Sequence, residues 1–103
     1  MIKVALSVIV QAKPGKEKDV ADFLRDARSI VEQEQDTRAW FALQLDESTF
    51  GIFDVFPDDD ARQTHLSGGV GQALTAQAAE LFSAEPSIQN IDVLAYKLPG
   101  END

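Results

Sequence analysis

The chain has 103 residues, enough for one domain and one core, and its 18 acidic side chains against 9 basic ones leave a net charge of −9. After Arg38 only Arg62 and Lys97 are basic, so the surface is set against phosphate backbones and nucleic-acid binding is not expected. The absence of cysteine excludes disulfides, thiolate nucleophiles and cysteine metal sites, and no apolar run approaches the ~20 residues that a membrane span needs.

Residues 2–12 alternate, with Ile2, Val4, Leu6, Val8 and Val10 on one face and Lys3, Ala5, Ser7, Ile9 and Gln11 on the other. That period of two predicts a strand, ended by Lys13-Pro14-Gly15, because proline lacks a ladder donor and glycine permits the turn. The same stretch is too short and too regular for a signal peptide and has no small-residue cleavage site before Lys16, so the protein is expected in the cytoplasm. Residues 16–35 place Val20, Phe23, Leu24, Ala27, Ile30 and Val31 on a single stripe among charged faces, which predicts an amphipathic helix. Residues 38–46 and 49–56 are aromatic-rich arms around Glu47-Ser48 and read as a β-hairpin, with Asp46 helping the turn.

Pro57 stops the second arm, Asp58 is the expected N-cap, and Asp59 and Asp60 fall where a helix dipole favours negative charge. A short helix from Ala61 to Leu66 follows, then a break at Ser67-Gly68-Gly69 and a second helical run from Val70 to Ser83. The last strand is expected over Ile88–Leu98. Residues 1–98 form the domain and 99–103 a frayed tail. This order, β-α-β-β-α-β, predicts a ferredoxin-like α+β sandwich with a four-stranded antiparallel sheet. Helices would cover one face. The other face, carrying Ala5, Ile9, Phe53, Val55, Ile91, Val93 and Ala95, is too apolar for water, which predicts a homodimer packed sheet against sheet.

His65, the one histidine, lies near the core-facing side of its helix, either as a packed, hydrogen-bonded histidine or in a chemical role. Asp54 sits in a strand among Ile52, Phe53, Val55 and Phe56, where a carboxylate is either paired or lines a cavity. Arg62 and His65 are its natural partners. Trp40 and Tyr96 have polar handles that suit an aromatic ligand, with core packing the alternative for Trp40. The Gly68-Gly69-Val70-Gly71 run lacks the Lys and Thr of a phosphate-binding loop and reads as a turn. One histidine without cysteine gives no metal site.

The Lys13-Pro14-Gly15 turn, the long helix, the hairpin and the run Asp54-x-Phe56, turn, Ala61, three residues, His65-Leu66 together resemble the antibiotic biosynthesis monooxygenase family of the dimeric α+β barrel superfamily, across about residues 2 to 98. The family usually has Glu and Trp where this chain has Asp54 and Phe56. The resemblance implies a barrel-forming homodimer, each subunit holding a cavity between its helices and its sheet. It also implies a monooxygenase that oxidises a phenol or quinol with O₂ and no cofactor. In that reading His65, polarised by Asp54, is the base, and Trp40, Tyr96, Arg62 and Phe56 bind the small aromatic substrate. The pattern of haem-degrading relatives is not met, since Val8 stands near their Asn and His65 near their Trp. A non-catalytic ligand-binding or stress-associated dimer is the alternative.

Overall fold

The computed structural model describes residues 1–100, so the last three residues of the expected tail lie outside it. Its elements are β1 (Val4–Gln11), α1 (Glu17–Val31), β2 (Ala39–Gln44), β3 (Thr49–Phe56), α2 (Asp59–Leu66), α3 (Gly69–Leu81) and β4 (Ser87–Asp92). The four strands form one antiparallel sheet in the order β2-β3-β1-β4, the ferredoxin-like arrangement with the helices layered on one face. No helix among the described residues is long and apolar enough to cross a membrane.

The strand alternation decides which side chains meet the helices. Leu6 pairs with Asp54, Val8 with Ile52 and Val10 with Phe50, so these six share the helix-covered face. There Val8, Val10, Phe50 and Ile52 join Val20, Leu24, Ala27 and Val31 of α1 and Val70, Leu74 and Leu81 of α3 in the main core. Asp58 caps α2 through its Oδ1, which accepts the Ala61 amide at 2.8 Å. Asp46 closes the hairpin by accepting the amides of Ser48 and Thr49.

Four features depart from the pattern read off the sequence. α1 ends at Val31 rather than Gln35, with Glu32 as its C-cap and the amides of Gln33 and Glu34 turned back onto the carbonyls of Ile30 and Val31 in a tightened last turn. α3 begins at Gly69 and includes Gly71, so the glycine run is partly helical; a Cβ on Gly71 would lie 2.0 Å from the Leu66 carbonyl oxygen, and only glycine fits this α2–α3 corner. β4 stops at Asp92, which pairs with Val4, the first residue of β1, and one more bond, from the Val93 amide to the Lys3 carbonyl, closes the ladder. Residues 93–98 leave the sheet instead and lay Val93, Tyr96 and Leu98 against Ala5 and Val55 on the second face. Ile2, expected beside Val4 and Leu6, joins that second-face cluster because it precedes β1 and is not held to the strand alternation. The chain therefore covers half of its own second face. The β2 half, with Phe41, Leu43 and Leu45, stays exposed.

Candidate functional site

A cavity of about 650 Å³ lies between the sheet and the α2–α3 layer. Its floor is Leu6 and Val8 of β1, Ile52 of β3 and Ile88 of β4, and its roof is Val70, Leu74 and Ala78 of α3. α1 contributes nothing to it, since that helix packs over the β2–β3 half of the sheet. Asp54 and His65 open on one end, at the level of Leu6; Phe82, which bridges to Ala12, and the 83–86 turn close the other.

Asp54 is only 1% exposed, an unusual place for a carboxylate, and its position follows from the strand period: it must share the face of Ile52 and Phe56. α2 then folds back over β3 to bury Ala61, which carries His65 over the sheet. His65 Nε2 lies 2.8 Å from Asp54 Oδ2, an ion contact that is not aligned as a hydrogen bond, and among the described residues neither Asp54 oxygen has a hydrogen-bond partner. On its other side, His65 Nδ1 meets Glu34 Oε1 at 2.5 Å. Glu34 is itself held by Thr37, whose Oγ1 donates to Oε1 at 2.8 Å. Phe56 backs the imidazole with its ring centroid 5.2 Å away.

Both ring nitrogens thus face carboxylates, an arrangement suited to the imidazolium, which has two N–H donors and no acceptor. Burial pulls the His65 pKa down, but Asp54 and Glu34 together outweigh it and leave the pKa above its ordinary 6.5. Burial raises the Asp54 pKa above 3.8, with the nearby Glu34 charge adding to the rise and His65 offsetting part of it. Asp54 and His65 both hold their protons more tightly than they would in water, Asp54 because burial disfavours its charge and His65 because two carboxylates favour the imidazolium.

The remaining residues that the sequence pointed to stand away from the cavity. Arg62 is buried on α2 but turned to the sheet edge, donating to the carbonyls of Ala5 and Ile91 and pairing with Asp59 at 2.7 Å rather than with Asp54. Tyr96 lies on the second face, where its hydroxyl accepts the Ile2 amide at 3.2 Å. Trp40 neighbours Asp54 across the β2–β3 ladder and packs on the main core, its Nε1 buried without a partner. Phe56 is fully buried behind His65. None of these four lines the cavity. Glu34 and Thr37 belong to the cluster and were not singled out from the sequence; a glutamate at the end of a charged helix carries no local sign of a partner 31 residues away. Among the described residues no set of acidic and histidine side chains is arranged to surround a metal ion.

Among solved structures, the chain is similar to a protein of unknown function from Nitrosomonas europaea, with 48% identity over 98% of both chains and a TM-score of 0.96. The chain belongs to that protein's family. It also matches two proteins provisionally assigned as antibiotic biosynthesis monooxygenases. One, from Caulobacter crescentus, shares 14% identity over 91% of this chain and 92% of its own, with a TM-score of 0.77. The other, from Nitrosomonas europaea, shares 13% over 89% and 90%, with a TM-score of 0.79. At these identities the likeness is one of fold: the chain has the antibiotic biosynthesis monooxygenase-type α+β fold. No protein-family model matches the sequence, and no curated protein matches it.

Proposed function

We propose that this protein is a cofactor-independent monooxygenase-like protein that takes a flat, largely apolar phenol or quinol into the cavity. The observation that carries the reading is a buried carboxylate–imidazole pair opening on an otherwise mainly apolar chamber of about 650 Å³, a size that suits one small aromatic ligand. The sequence pointed to His65 as the base. With both of its nitrogens turned to carboxylates, we assign proton acceptance to Asp54, whose Oδ1 lies outside the His65 contact, and assign to His65 the role of holding that carboxylate in place.

The chemistry closes without a bound group. The substrate hydroxyl gives its proton to Asp54, and the carbanion-like anion passes one electron to O₂. The radical pair joins as a C–O bond to give a hydroperoxide after the proton is returned, and loss of water leaves a second carbonyl, so that the phenol HO–Ar–H and O₂ become the quinone O=Ar=O and H₂O. A raised Asp54 pKa suits this exchange, since the acceptor must also give its proton back. We also propose that a second copy of the chain covers the open β2 half of the sheet, where Phe41 is 48% exposed and Leu43 and Leu45 are similarly open.

An oxygen electrode tests the reading with naphthols and simple quinols. The expected result is one O₂ consumed per substrate oxidised, with Asp54→Asn slower by roughly 10²-fold or more. Binding of 2-naphthol with no O₂ uptake would overturn the oxidase reading and leave the non-catalytic binder.

A further inference from the structure

We propose that the cavity selects uncharged or cationic ligands that bring a hydroxyl or amine donor and rejects carboxylated ones, and that Glu34 enforces this choice by engaging the far side of His65. This rests on the ligand-binding half of the function proposed above and is independent of the oxidation step.

The cavity wall carries Asp54, Glu85 and His65 but no lysine or arginine. Arg62, on the same helix as His65, is committed to two carbonyls and Asp59. His65 is then the one cationic group in the wall among the described residues, and its nitrogens are occupied by Asp54 at 2.8 Å and Glu34 at 2.5 Å. Two carboxylates against one imidazolium leave one negative charge; a neutral ring would leave two. Without Glu34, Asp54 and His65 would form a neutral pair. The second carboxylate, Glu34, therefore sets the sign of the cluster.

An entering carboxylate meets this charge in a low-dielectric enclosure, where repulsion is stronger than in water, and the protein's net charge of −9 opposes it at longer range. A hydroxyl or amine instead supplies the donor that Asp54 Oδ1 lacks, and satisfying a buried orphan acceptor is where a hydrogen bond gains most.

Calorimetric titration under nitrogen with 2-naphthol, 2-(aminomethyl)naphthalene and 2-naphthoate at neutral pH reads the selection directly. The naphthol and the amine should bind at least tenfold more tightly than the naphthoate. Glu34→Gln should narrow the gap several-fold by strengthening naphthoate, and Asp54→Asn should weaken naphthol and the amine. Glu85→Gln, at an exposed position whose loss leaves the fold intact, should also favour naphthoate, about twofold, and keeps the test alive if Glu34→Gln does not fold. Naphthoate binding as tightly as naphthol, an unchanged ratio in the folded charge variants, or no binding of any probe would overturn the proposal. If the selection holds without O₂ uptake on any phenol, this inference stands and the oxidase reading falls; equal O₂ uptake with naphthol and its carboxylated analogue does the reverse.

Discussion

His65 is the only histidine in the chain, so its ring proton signals report one site without assignment ambiguity. Because burial lowers its pKa and the two carboxylates raise it, removing either carboxylate should expose the burial effect. NMR titration should therefore show a pKa above 6.5 in the parent and a drop in both Asp54→Asn and Glu34→Gln; an unchanged value in both would refute the cluster. The same shifts govern stability. A native pKa raised above the unfolded value gives stability that is complete below the unfolded pKa and is lost as pH rises through the native one. His65 is raised, so the melting temperature should fall as pH climbs from about 6.5 through the native His65 value, whereas the Asp54 contribution starts to be lost earlier, from about 3.8 upward. A melting temperature rising over that interval would contradict the pairing. The Asp54–His65 half of the cluster was legible in the sequence, because strand alternation fixes the face of Asp54 and the need to bury Ala61 fixes the direction of α2. Glu34 was not, since periodicity reports which face a residue takes on its own element and is silent about contacts made by a turn.

Among the elements, α1 is the one whose stripe was most readable, and its central residue is Leu24, buried in the main core, whereas Phe23 beside it is only half-buried and Ile30 drifts to the surface. Leu24→Ala should cost about 2–5 kcal/mol in denaturant unfolding through lost burial and residual cavity. Arg25→Ala, on the solvent face, should change stability by about 0.5 kcal/mol or less. Similar losses would mean that the helix is rotated. The α2–α3 corner gives a sharper case. Alanine is ordinarily the better helix residue by roughly 1 kcal/mol, yet Gly71→Ala puts a carbon 2.0 Å from backbone that cannot swing aside, so it should destabilise by about 1–3 kcal/mol instead. β4 looks longer in the sequence than it is for a related reason: residues 93–98 keep an apolar alternation, and only the register with β1 reveals that the ladder ends at Asp92, with a single further bond from the Val93 amide to the Lys3 carbonyl.

At the scale of the whole molecule, the ferredoxin-like order was visible from the succession of periods, while the covering of the second face was visible only in part. The self-covering segment leaves Phe41, Leu43 and Leu45 open, and it carries Leu94, 98% exposed, on its outer side. Light scattering at micromolar concentration should give twice the chain mass of 11.3 kDa, and Phe41→Glu should shift the population to monomer. A stable pair needs to bury at least ~1,200 Å²; a parent protein that scatters as a monomer would remove the dimer. The two halves of the helix layer also differ in a way that bears on how the molecule responds to its surroundings. α1 seals one half of the sheet, and α3 spans a hollow over the other. Side chains around a void forgo dispersion contacts that a filled core would supply, so the native state begins with an unsatisfied demand for matter at one known place. Any molecule that fits shifts the folding equilibrium by mass action, adding about 2.7 kcal/mol at a hundred times its dissociation constant. Heat alone, applied to the protein in the presence of one compound after another, can then sort the molecules this hollow accepts before any reaction is sought.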